Sequence, residues 1–101
     1  MAADPARATE TGLASWYGYS GHRTANGERY PTSEFTCAHK TARFGVRFRI
    51  TDLKTGKSVI CRCNDRGPFI AGRIIDLNPA SARALGLIRR GIAKVSITPL
   101  G

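Results

Sequence analysis

The sequence predicts an all-β domain, with about six short strands and one short helix, closed on itself as a small β-barrel. Three observations support this. Residues 45–52 alternate Val46, Phe48 and Ile50 with Arg47, Arg49 and Thr51, the period-two pattern of a strand with one buried face. Residues 59–76 read as strand, sharp turn, strand: Val59, Ile60 and Cys61 favour extended backbone, Arg66-Gly67-Pro68 interrupts it, and Ile74-Ile75 resumes it. Finally, only residues 78–86 carry helix signals, so no helical layer is available to cover a sheet.

The elements follow in order. Residues 1–11 are small and polar and are expected to be a disordered N-terminal segment without an apolar leader core; residues 12–101 form the domain. Residues 12–17 are the first strand, with Leu13, Ser15 and Tyr17 on one face and Ala14 and Trp16 on the other. Residues 18–30 are a long irregular loop holding three glycines and an Asn26-Gly27 turn signal; a loop of this length in so small a domain is usually functional. A turn or a short helical turn at 31–34 leads to a short strand at 35–39. The half-buried strand at 45–52 turns through Lys54-Thr55-Gly56-Lys57 into a partner at 58–63. Asn78 is a good N-cap, Pro79 suits the first helical position and Gly86 the stop, with Ala80, Ala84 and Leu85 as a weak apolar face. The last strand is 92–97.

The chain has 101 residues, one domain's worth, and a formal net charge of +9. Its sixteen Lys and Arg are spread from Arg7 to Lys94 without a run of five, which argues against a basic arm. The charge favours an acidic partner but does not choose one. A nucleic-acid binder would show steeply salt-dependent DNA affinity, and nothing beyond charge points to one. No apolar run is long enough for a membrane-spanning helix.

Among only seven acidic residues, Asp65 and Asp76 fall at the ends of two successive strands in apolar surroundings. A carboxyl so placed could serve as a general acid. The plain alternative is that residues 64–68 are a turn with Asp65 bonding its own backbone, and that Asp76 caps the approach to the helix or pairs with Arg66 or Arg73. Glu28 in the long loop and His39 after a short strand are further candidates, each of a type that is more often structural. Trp16, Tyr17, Tyr19 and Tyr30 flank the loop and could stack on sugars or fill the core. Three cysteines allow one disulfide and a leftover thiol. Cys61 and Cys63 share a strand face, so spacing does not choose between them as the partner of Cys37. A zinc site from the three cysteines with His39 has unfavourably tight spacing, and no metal or other cofactor is expected.

Six segments resemble one family: residues 12–18 (GLASWYG), 24–28 (TANGE), 38–41 (AHKT), 44–45 (FG), 64–69 (NDRGPF) and 72–77 (GRIIDL). In order and spacing they resemble the rare lipoprotein A (RlpA)-like domain across residues 12–100. The resemblance implies a six-stranded double-psi β-barrel with one or two short helices, shared more distantly with expansins and barwin-like proteins. It implies a lytic transglycosylase that cuts the β-1,4 bond after N-acetylmuramic acid in peptide-free peptidoglycan strands, leaving 1,6-anhydro ends. On the matching positions, Asp65 would be the general acid and then the base on the muramic C6 hydroxyl. Glu28 would polarise or position the sugar, and His39 would orient substrate or Asp65. Thr24, Asn26, Tyr17, Lys40, Arg66 and Asp76 would bind substrate, with Asp76 a second candidate acid. Export to the periplasm or cell envelope, for instance as an outer-membrane lipoprotein, would follow, with other cell-division or cell-wall proteins as further partners of a monomer. This chain departs from the family in having Ala42-Arg43 where many relatives have Leu-Pro, and in its cysteines; a Cys37–Cys61 disulfide with Cys63 free is the expected pairing. The competing reading is a non-catalytic, expansin-like module that grips polysaccharide through the same groove, with Arg66, Lys40 and Arg73.

Overall fold

The strand with the clearest alternation shows how the barrel is built. In a computed structural model, which describes residues 9–18, 23–29 and 32–100, Phe48 and Ile50 on β3 (Arg47–Asp52) are fully buried while Arg47 and Arg49 face solvent. β3 pairs antiparallel with β4 (Ser58–Asp65) through the 52–57 turn, where Lys54 N–H donates to Asp52 Oδ1. The other strands are β1 (Glu10–Trp16), β2 (Thr36–Ala38), β5 (Arg73–Leu77) and β6 (Ile92–Pro99). They close in the order β1-β5-β2-β4-β3-β6. Two neighbouring pairs, β1–β5 and β2–β4, are parallel and the rest antiparallel. With only the short helical region beside the strands among the described residues, the inward faces are covered mainly by the strands opposite. The resulting core is Ala14, Phe48, Ile50, Ile75, Leu77, Val95 and Ile97, with Leu85 and Leu87 from the helical region.

Both parallel pairs carry a break in register. Cys37 pairs with Cys63 but Ala38 with Asp65, so Asn64 is an extra residue on β4. Likewise Leu13 pairs with Arg73 but Ala14 with Ile75, so Ile74 is extra on β5. Such bulges re-aim the side chains beyond them. Gly12 is required at the second one: a Cβ there would come within 2.8 Å of the Ile74 side chain.

Several expected boundaries move. β1 begins at Glu10, so Glu10 and Thr11 belong to the strand and pair with Ile97 and Ser96, and the Thr9 hydroxyl meets that of Thr98 at 3.3 Å; residues 1–8 lie outside the described residues, as do Tyr19 and Tyr30. β4 runs on through Asp65 and β6 through Pro99. The helix α1 (Pro79–Leu85) has Asn78 as N-cap and Gly86 in the left-handed conformation at its end. Its buried face is Ser81, Ala82 and Leu85 rather than Ala80, Ala84 and Leu85: Ser81 is drawn inward by the cap, and Ala84 is left exposed.

Cys37 and Cys61 form a disulfide joining β2 to β4. Closing a loop with a sequence separation of 24 is worth about 3 kcal/mol in the chain-entropy picture. Cys63 is free and buried, and burial pushes its thiol pKa up. No described helix is long and apolar enough to cross a membrane.

Candidate active site

Ala38 lies between the two carboxylates singled out in the sequence. It is the register partner of Asp65 on β4 and, on its other side, of Asp76 on β5. Two strand spacings put their backbones about 10 Å apart across a residue with almost no side chain. Both carboxylates line a groove of about 320 Å³ that Tyr17, Ala38, Arg66 and Arg73 also line. Gly67, Pro68, Phe69 and Ile70 complete it, with Phe69 80% exposed on the rim. Gly67 turns the chain here with φ +127°, and a Cβ would point toward Asp76 Oδ2 at 3.9 Å.

The carboxylates are held differently. Asp65 Oδ1 accepts from the backbone N–H of Ala25 and of Arg66, each at 2.9 Å. Asp76 Oδ1 accepts from the Ser15 hydroxyl, which the β1–β5 register places directly beside it. Ser15 meets its partner only through the parallel β1–β5 pairing, across a sequence separation of 61. Arg66 does not use its guanidinium on Asp65. That group stacks over Phe44 at 4.1 Å and reaches the His39 carbonyl at 3.4 Å.

Residues 23–29 form a tight turn packed on the end of β4. Thr24 N–H donates to Glu28 O at 2.8 Å, Gly27 N–H to Thr24 O at 2.9 Å, and Asn26 N–H to Asn64 O at 3.2 Å. Thr24 and Asn26, expected to bind substrate, are spent inside this turn: the Thr24 hydroxyl donates to Asn26 Oδ1 at 2.5 Å, and the same oxygen accepts from Glu28 N–H. Glu28 does not line the groove. Its Oε1 accepts from Arg62 Nη2 and from Asn64 Nδ2, each at 2.9 Å. The Arg62 bond, then the Asn64 bond, hold its carboxyl below the usual range despite partial desolvation.

His39 also stands apart from the groove. Its ring is buried, stacked on Phe48 at 5.1 Å. Nδ1 accepts from the N–H groups of Thr41 and Ala42, which leaves Nε2 to donate to Glu10 Oε1 at 3.0 Å. The imidazole thus anchors the 39–42 turn, while the His39 backbone N–H donates to Asp65 O at 3.2 Å. Lys40 is exposed and away from the groove lining. Of the expected site residues, then, the fold gathers Tyr17, Asp65, Arg66 and Asp76 around one groove. It sets Glu28, Thr24 and Asn26 behind Asp65, and turns His39 and Lys40 away. It adds Phe69 and Ile70, both exposed just beyond the Arg66-Gly67-Pro68 turn; along the sequence Phe69 stood only as the end of the 64–69 family segment and Ile70 was given no role. With Cys37 and Cys61 bonded to each other, a zinc site built on three thiolates is not available.

A family model described as lytic transglycolase matches residues 9–97. The chain belongs to that family. Among its lytic transglycolase relatives, the probable endolytic peptidoglycan transglycosylase RlpA of Synechocystis is 50% identical over 88 residues, 85% of this chain and 27% of that protein. The endolytic peptidoglycan transglycosylase RlpA of Neisseria meningitidis is 52% identical over 91 residues, 88% of this chain and 38% of that protein. The chain therefore spans between a quarter and two fifths of these relatives. Among solved structures, a Streptomyces papain inhibitor superposes with TM-score 0.78 at 20% identity, covering 96% of this chain and 98% of that one. A Clavibacter michiganensis expansin in its apo form gives TM-score 0.69 at 25% identity, covering 93% of this chain and 51% of that one. The fold is the double-psi barrel of these neighbours, as the sequence resemblance implied.

Proposed function

We propose that this lytic transglycolase-family domain is an endolytic lytic transglycosylase of the cell envelope, cutting the β-1,4 bond between N-acetylmuramic acid and N-acetylglucosamine in peptide-free peptidoglycan strands. The observation that carries the reading is the placement of Asp65 and Asp76 on either side of Ala38 in one groove. A flat sugar unit needs such a floor, with a carboxyl within reach of the scissile oxygen. The names of the relatives supply the reaction class.

In this reading Asp65 is the acid. Its Oδ1 is fixed by two amide donors, and Oδ2 has no bonding partner among the described residues. Asp65 protonates the leaving glycosidic oxygen as the C1–O bond breaks. The resulting carboxylate then takes the proton from the muramic C6 hydroxyl as O6 bonds to C1, which restores Asp65 and leaves a 1,6-anhydro ring without consuming water. Asp76, oriented by Ser15, faces the same sugar from the other side of Ala38 and offsets the positive charge developing at C1. Phe69 offers an apolar face at the rim for a sugar ring. Arg73 and the net charge of +9 suit a polymer whose peptide-free muramic units expose lactyl carboxylates.

The test is digestion of purified peptide-free glycan strands, read by mass spectrometry. Anhydromuramic ends that fall by roughly a hundredfold or more in Asp65→Asn, with glycan binding retained, would support the acid role. Reducing ends would mean hydrolysis. Strands bound but left uncut by the wild type would favour the expansin-like binding module, a reading supported by the expansin-like fold.

A further inference from the structure

Arg62 is the one side chain that reaches both of the loops preceding β2 that the structure describes. From β4 its Nε and Nη2 donate to the two carboxylate oxygens of Glu34 at 2.6 and 3.0 Å, and Nη2 also donates to Glu28 Oε1 at 2.9 Å. The contact to Glu34 is the two-pronged fork that only a guanidinium makes. Glu28 is in turn fixed by Asn64, the bulged residue next to Asp65. With its guanidinium set by the fork to Glu34, Arg62 holds the 23–29 turn through the Nη2 bond to Glu28, and that turn supplies the Ala25 N–H that holds Asp65 Oδ1.

We propose that Arg62 is a positioning residue for the reaction. Through Glu28 it clasps the 23–29 turn on β4, so that the Ala25 amide fixes the Asp65 carboxyl group through Oδ1 before substrate arrives. This rests on the transglycosylase reading given above and assigns Glu28 a place in it: Glu28 acts through the turn and does not touch the sugar. Three features favour this over direct contact. Glu28 lies outside the groove lining, its Oε1 already receives two donors, and both donors come from the strand that carries Asp65. The two donors hold the Glu28 side chain against β4 and outside the groove, and a turn held at both Asn26 and Glu28 presents the Ala25 N–H in a fixed direction.

The experiment compares wild type, Arg62→Gln, Arg62→Lys, Glu28→Gln and the Arg62→Gln/Glu28→Gln double variant, each checked for folding by circular dichroism. Two readouts are taken: steady-state release of anhydromuramic ends, and NMR solvent-exchange rates of the Ala25 and Asn26 amides. Arg62→Gln should lower kcat about tenfold with KM within about twofold, because a displaced acid costs rate rather than ground-state binding. Arg62→Lys should fall between the two, keeping the charge without the fork. The double variant should be no worse than the poorer single, since both break one clasp. The Ala25 amide should exchange about fivefold faster in Arg62→Gln. Multiplying losses in the double variant, or an Ala25 amide that exchanges at the wild-type rate in Arg62→Gln and Arg62→Lys, would overturn the proposal and return Glu28 to the sugar. If Arg62→Gln does not fold, Arg62→Lys carries the same comparisons. A wild type that releases no anhydro ends would sink the functional reading, and the amide-exchange arm would still decide the clasp.

Discussion

Asn78→Ala should be among the most damaging single substitutions outside the groove. Asn78 is fully buried, and its side chain serves three segments at once. Oδ1 accepts from Ser81 N–H at 3.0 Å, capping α1, and from Thr36 N–H at 3.2 Å, at the start of β2. Nδ2 donates to the Glu34 carbonyl at 2.8 Å, tying down the segment that leads into β2. Truncation removes an N-cap, worth about 1 kcal/mol. It also leaves the Thr36 N–H and the Glu34 carbonyl without these partners, at about 1 kcal/mol or more each. The sum is about 3–4 kcal/mol, a large share of the roughly 5–15 kcal/mol that holds such a domain together. Urea unfolding with the disulfide intact should show a midpoint lower by about 2 M at unchanged slope. Asn78→Asp is the control: it keeps the acceptor for Ser81 and Thr36 but sets a carboxylate oxygen against the Glu34 carbonyl, and should not recover the loss. A cost below about 1 kcal/mol for Ala, or full recovery by Asp, would refute this reasoning.

Two further outcomes follow from the groove and its support. Glu28 and Glu34 both have carboxyl pKa values held down from 4.5, in each case chiefly by the hydrogen bond from Arg62. Lowered folded values mean that their contribution to stability is complete above about pH 4.5 and is lost as pH falls through those values; Arg62→Gln should flatten the stability–pH curve in that acid range, as followed by urea unfolding at stepped pH. Phe69→Ala should leave the unfolding midpoint unchanged, because the ring is 80% exposed, while raising KM for glycan strands about fivefold through loss of the stacking face.

Much of this protein is local and could be read along the chain. The inward Phe48 and Ile50 of β3, the turn that joins it to β4, and the Asn78, Pro79 and Gly86 signals around α1 all lie within a few residues of what they control and stand where the sequence placed them, although β3 begins at Arg47 rather than Gly45 and leaves Val46 outside it, half-buried. The family motifs were legible for the same reason, as short strings in a set order. The helix face was misjudged because a two-turn helix carries too little periodicity to outweigh a cap that pulls Ser81 inward.

The sequence by itself determined most of each strand, the helix α1 and the family to which the chain belongs, because hydrophobic period, turn chemistry and short motifs act over a few residues. Only the tertiary structure decided that β1 and β5, and β2 and β4, run parallel, that Asn64 and Ile74 are extra residues, and that Ala38 therefore separates Asp65 from Asp76. It also decided that His39 turns to Glu10 and Phe48 and that Glu28 turns to Arg62. These are matters of register between segments far apart in the chain, set by how one closed barrel packs its core, and a one-residue slip that no local pattern records would move each side chain to the other face.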